Sequence, residues 1–186
     1  MLSSKTCQVN LFSQQITVPR KPYWYLMTIS GQLKFTEYIT ALLALVAYYN
    51  FYYTTYDHVI SGTRKDYKID ETKRILITGF YCYKFSTFAI VFFTNIATVF
   101  DVFELREKIN KFFYYIECCF YTISCFLSIF CGYLAVYTLI LLDQYKIIID
   151  STLLIALVCS FVGAALFFCD FCRVFSKEIK RNELLN

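Results

Sequence analysis

Gly31–Tyr56 reads GQLKFTEYITALLALVAYYNFYYTTY, and from Phe35 to Tyr56 only Glu37 is charged. As a helix, 35–56 is roughly 33 Å long at ~1.5 Å per residue, enough to cross a ~30 Å hydrocarbon core. One such stretch alone would suit a signal anchor. Three more follow: 75–100, bounded by Arg74 and Asp101; 112–142, long enough to require tilt or protrusion; and 151–169. The expected fold is therefore all-α, an integral membrane four-helix bundle spanning 31–173, with tails 1–30 and 174–186.

Composition agrees with that reading. The chain has 186 residues, 58% hydrophobic and 20% aromatic, with a mean hydropathy of +0.50. Soluble domains of this length rarely reach such values. The net charge of +4 is carried in tails and loops, which makes nucleic acid a poor partner. Leu2–Thr17 is polar and mixed, so the first span is expected to direct insertion itself.

Four spans put both termini on one side. Lys5, Arg20, Lys21, Lys34, Arg106, Lys108, Lys111, Arg173, Lys177, Lys180 and Arg181 lie on that side, eleven in all. Arg64, Lys65, Lys68, Lys73, Arg74 and Lys146, six in all, lie on the other. The positive-inside rule then predicts cytoplasmic termini. None of the nine cysteines falls in the outer loops 57–74 and 143–150, which excludes a cystine-stapled ectodomain. No Asn-x-Ser/Thr sequon occurs.

Ionisable residues inside spans suggest function by default. There are four: Glu37, Lys84, Glu117 and Asp170. Glu37 and Asp170 are expected at cytoplasmic helix ends, where they reach water. Lys84 is the deep one if span two begins at Ile75, and it is then expected either to pair with Glu117 or to snorkel outward; if span two instead runs Phe85–Phe103, Lys84 lies near the outer interface. A transport or proton-relay role would use that pair. Against it, both prolines lie in the N-terminal tail and no span is interrupted in the way transporter helices are.

Small residues recur every four positions at Ser124, Ser128 and Gly132 in span three, and at Ala156, Ser160 and Ala164 in span four. Each set marks one helix face on which backbones approach closely. The two faces either pack on each other within the chain or leave one free to join copies; the long third span favours self-association through Gly132. Cys169-Asp-Phe-Cys172 has the spacing of a redox pair, but the first outer loop supplies no shuttle cysteines. Two cysteines make no closed zinc site, and the sole histidine, His58, lies in the opposite loop. Beside Arg173 and Lys177 they suit S-palmitoylation or inert packing. No nucleophile, carboxylate pair or metal cluster converges, so neither an enzyme nor a cofactor is expected. The basic residues after Asp170 are expected to bind an anionic leaflet, and Glu183-Leu184-Leu185 lacks the upstream acid of a di-leucine signal, having Lys180 instead.

Short outer loops exclude tetraspanins, and the first loop lacks the Trp and cysteines of claudins. Gly31-Gln32-Leu33-Lys34-Phe35-Thr36-Glu37, which opens span one, resembles the Gly-x-Leu-basic-x-x-Glu sequence of the MARVEL family. That family includes the myelin-and-lymphocyte protein and the chemokine-like-factor transmembrane proteins. Asp170 at the close of span four is similar too. The resemblance covers about 31–173 and implies a non-enzymatic membrane organiser in vesicle trafficking, membrane apposition or cell–cell fusion. It implies a plasma-membrane or vesicle location, the lipid bilayer and other copies of the chain as partners, and no cofactor. The competing reading is a small channel or transporter using Lys84 and Glu117.

Overall fold

The computed structural model describes residues 28–61, 67–102, 111–144 and 151–185. Each segment is essentially one helix: α1, Ile29–Ser61; α2, Tyr67–Val102; α3, Lys111–Gln144; and α4, Ser151–Leu185. No strand occurs among the described residues. Each helix packs on two neighbours, α1 and α3 both lying against α2 and α4, so the four close into a ring.

Three of the helices contain stretches long and apolar enough to cross a bilayer: Lys73–Phe100, Tyr114–Asp143 and Ser151–Ile179. The chain is thus a multi-pass membrane protein built as a four-helix bundle. α1 is 33 residues long, but no stretch of it among the described residues is counted with those three. Its 35–56 segment carries six tyrosines and four threonines besides Glu37 and Asn50. Of these, Thr36, Thr40 and Thr54 donate to the carbonyl four residues back, Glu37 accepts from Lys34, and Tyr48 reaches Thr138. The α1 start is set by Thr28, whose Oγ1 accepts from the Gly31 amide at 3.0 Å, an N-cap bond.

Apolar side chains cover the outside of the bundle, and polar ones are mixed into its largely apolar core. Phe85 is 71% exposed and Phe126 69%, and Phe88, Phe92, Phe161 and Phe168 are exposed with them. A water-soluble monomer does not present such a surface; a lipid-facing one does. Turned inward are Thr40, Thr87, Thr94, Ser124, Ser128, Thr138 and Ser160. Thr40, Thr87, Thr94, Thr138 and Ser160 each donate to the carbonyl four residues back, which consumes their hydrogens without a partner helix.

At mid-depth two tyrosines fill the axis. The rings of Tyr48 and Tyr83 stack at 3.9 Å between centroids and 4° between planes. The Tyr83 hydroxyl lies 2.8 Å from Ser160 Oγ on α4. The Tyr48 hydroxyl lies 3.4 Å from Thr138 Oγ1 on α3. Each tyrosine therefore reaches the helix diagonally opposite its own.

Two expectations about boundaries change. α1 and α2 take over most of the stretch read as the first outer loop; only 62–66 falls between them, outside the described residues. α4 runs 35 residues to Leu185, so the stretch read as a C-terminal tail continues the helix. No Gly or Pro follows Asp170, and Lys, Glu, Arg and Leu are good helix formers. Loop segments 103–110 and 145–150, and residues 1–27 of the N-terminal tail, lie outside the described residues.

Candidate functional site

At one end of the bundle, side chains from α1, α3 and α4 meet around one lysine. Lys34, on the first turns of α1, is only 3% exposed. Its Nζ donates to Glu37 Oε2 at 3.2 Å and to Asp170 Oδ2 on α4. It also stands 3.9 Å from the ring centroid of Tyr121 on α3, a cation–π contact. The Tyr121 hydroxyl donates to Glu117 Oε1 at 2.8 Å. Arg173 Nε lies 3.1 Å from Asp170 Oδ1. Glu37, Glu117 and Asp170 are completely buried, whereas Arg173 is 20% exposed.

Local helix geometry builds this arrangement. Lys34 and Glu37 are three apart on α1, Asp170 and Arg173 three apart on α4, and Glu117 and Tyr121 four apart on α3, the spacings at which helical side chains meet. Packing α1 and α3 against α4 then joins the three pairs. Asp170 lies about 28 Å along α4 from Ser151, close to the edge of a ~30 Å core. From there the Arg173 stem reaches outward while its neighbours stay dry. A buried ion pair of this kind is weak evidence of net stability, but removing one member leaves an uncompensated charge. Chemically the cluster is a clasp among three helices.

Two sequence-based placements are corrected here. Glu37 and Asp170 do not reach water; both are fully buried and paired with Lys34. Glu117 is not joined to Lys84 by any hydrogen bond or ion pair among the described residues. Lys84 follows Tyr83, whose layer contains Ser160, ten residues before Asp170 on α4. That places Lys84 about 15 Å along the bundle from the cluster. It is half-buried, between the exposed Tyr81 and Phe85. Because it neutralises nothing in the cluster, Lys84→Met is expected to leave the bundle as stable or more stable. At a helix centre, removal of a lysine is worth up to ~3.5 kcal/mol of insertion. A fall in midpoint on detergent titration would show that Lys84 has a structural partner after all.

The small-residue faces are both used inside the chain. Ser124, Ser128 and Gly132 are buried, as are Ala156, Ser160, Gly163 and Ala164. A Cβ on Gly132 would lie 2.9 Å from Phe161 Cζ on α4, and one on Gly163 would lie 3.6 Å from Ser128 Oγ on α3. The Gly132 face favoured for self-association is thus occupied by α4. Gly132→Leu is expected to cost about 1–3 kcal/mol by overpacking, lowering accumulation without changing the oligomer distribution of the protein that does fold. Normal accumulation with lost oligomers on crosslinking would contradict this. Cys169 and Cys172 are exposed, free thiols one turn apart, beside Asp170 and Arg173.

The sequence marks all three carboxylates of the cluster, and Lys34 stands with Glu37 in the opening Gly-x-Leu-basic-x-x-Glu stretch. Nothing in the sequence brings that lysine to Asp170 or to the Tyr121 ring. No group of three or more His, Cys, Asp and Glu suited to a metal occurs among the described residues. Comparison with family models, curated proteins and solved structures finds no match.

Proposed function

We propose that this chain is a non-enzymatic membrane-organising protein, acting in vesicle trafficking, membrane apposition or cell–cell membrane fusion. The observation that carries the reading is where its chemistry lies. The charged side chains within the bundle are largely consumed in joining helices, and what the surface offers is apolar and aromatic, turned to lipid. Such a molecule acts through the faces it shows to the bilayer and to other membrane proteins. The likeness to MARVEL proteins supports the same conclusion. Lys34 and Glu37, from the opening sequence that carries the likeness, meet Asp170, the residue that carries it at the close of span four. In this reading α1 also spans, both termini face the cytosol, and the protein resides in the plasma membrane or in vesicles. Contacts between copies would use the exposed aromatic faces, since Gly132 is covered.

The test is removal of the protein from cells that make it, with vesicle transport, membrane apposition and fusion measured side by side. A defect in at least one, rescued by the wild-type chain, is the expected result. Unchanged rates in all three would end the proposal.

A further inference from the structure

Toward the end of the bundle opposite the ion cluster, a groove of about 470 Å³ lies between α2 and α3. Spaces of this size take a small-molecule ligand. Its wall on α2 runs through Ile75, Gly79 and Cys82, and its wall on α3 through Leu134 and Thr138. Gly79 makes the notch, because it adds no side chain to its wall. Behind it stands Tyr48, whose hydroxyl would lie 3.5 Å from a Cβ at that position.

Inside the groove the hydroxyl hydrogens are already used. Thr78 donates to the Arg74 carbonyl at 2.9 Å, and Thr138 donates to the Leu134 carbonyl at 2.8 Å. The Tyr48 hydroxyl, 3.4 Å from Thr138 Oγ1, is then the donor of that pair. An occupant at this depth is asked for no acceptor, which suits an apolar chain. The shallow end differs. Arg74 lies one residue inside the apolar stretch Lys73–Phe100, at the level of lipid headgroups, and Cys82 lies about 12 Å deeper along α2. Arg74 is exposed, and its guanidinium makes no ion pair among the described residues. The planar fork of a guanidinium matches phosphate oxygens in pairs.

We propose that this groove holds one glycerophospholipid, with its phosphate on the Arg74 guanidinium and one acyl chain lying past Gly79 toward Cys82 and Leu134. Charge complementarity selects the headgroup: one cation at the edge of the hydrocarbon faces the one negative charge of a phosphodiester. A basic residue at a pocket between spans is the arrangement that captures lipid headgroups. Shape selects the chain. Elsewhere α2 and α3 push Phe85, Phe126 and Tyr133 out into lipid, whereas here the surface is hollow. The site goes beyond the organising role proposed above and does not depend on it.

The full-length protein in dodecyl maltoside micelles is doped with phosphatidylglycerol, and its thermal midpoint is followed against the mole fraction of lipid. Diacylglycerol with the same chains is the control without phosphate. Binding to the folded form raises the midpoint by mass action, and at ten times the half-saturating fraction the expected rise is about 3–6 °C. Diacylglycerol is expected to need at least about tenfold more, and Arg74→Gln to raise the half-saturating fraction of phosphatidylglycerol about tenfold, through loss of one charge-assisted contact. Saturating phosphatidylglycerol should also slow alkylation of Cys82 by N-ethylmaleimide about tenfold, with the exposed Cys169 unaffected. Equal responses to the two lipids, or to phosphatidylglycerol in wild type and Arg74→Gln, would overturn the site, since the phosphate would not be recognised. An unprotected Cys82 would overturn it as well, by placing the lipid elsewhere. A midpoint that rises with protein concentration and not with lipid would give the groove to a second copy of the chain and end the proposal.

Discussion

Lys34→Met is expected to be among the most damaging single substitutions in the chain. The lysine is shared by Glu37 and Asp170, both fully buried, and its removal leaves two carboxylates facing each other with Arg173 reaching only one. Breaking a buried pair by deleting one partner costs about 3–5 kcal/mol, because the remaining charge has lost both its water and its counter-ion. Methionine matches the lysine stem, so the loss is electrostatic rather than a cavity. The expected result is a protein that accumulates poorly and unfolds early in a titration with sodium dodecyl sulfate in mixed micelles. Adding Glu37→Gln should recover part of the loss, because one of the stranded carboxylates is then neutral. Wild-type stability for Lys34→Met would mean that the cluster is solvated, and the clasp would have to be abandoned.

Tyr83→Ala is the second large expectation. The side chain is completely buried, stacks on Tyr48 at 3.9 Å and carries the 2.8 Å contact to Ser160. Truncating a large buried ring costs about 3–5 kcal/mol in soluble proteins. In a bilayer the separated spans remain in lipid, so the transfer contribution largely cancels and the loss is one of packing. About 3 kcal/mol is therefore expected, at the lower end. Tyr83→Phe keeps the stack and removes only the hydroxyl, for about 1 kcal/mol. The ratio between the two variants on the same titration separates ring from hydroxyl. Equal effects would place the value of Tyr83 in its hydrogen bond instead.

How far the sequence reveals this arrangement depends on the type of signal. Long apolar runs reveal spans two, three and four, because burial in lipid demands unbroken hydrophobicity whatever the partners. The first helix is legible by length and by its near-lack of charge, although Tyr48, Tyr49, Tyr52 and Tyr53 lower its hydropathy. Of those, Tyr48 makes sense once it is seen stacked on Tyr83 and Tyr52 once it is seen stacked on Phe80, whereas Tyr49 and Tyr53 stay exposed. The extension of α4 to Leu185 is concealed because a charged stretch after a span reads equally as tail or helix. The cluster is half legible. Glu37, Glu117 and Asp170 stand out as acids in apolar surroundings, but their depth depends on which helices touch, and linear spacing does not carry that. Lys34 is concealed for the opposite reason: a basic residue at a span's edge already has an explanation in topology. The stripes through Ser128 and Ser160 identify close-packed faces, while the choice between an internal and an external partner rests on the ring order of helices.

The central claim is that Lys34 on α1 and Asp170 on α4 hold the bundle together directly. A double-mutant cycle tests it most closely: Lys34→Met, Asp170→Asn and the pair, each measured by reversible unfolding in mixed micelles. Side chains in direct contact couple by about 0.5–3 kcal/mol, whereas distant ones add to within about 0.5 kcal/mol. A coupling of at least about 2 kcal/mol is predicted, with the double variant far more stable than the sum of the single losses implies. Strict additivity would contradict the account, since it would mean that the two residues do not share an interaction at all.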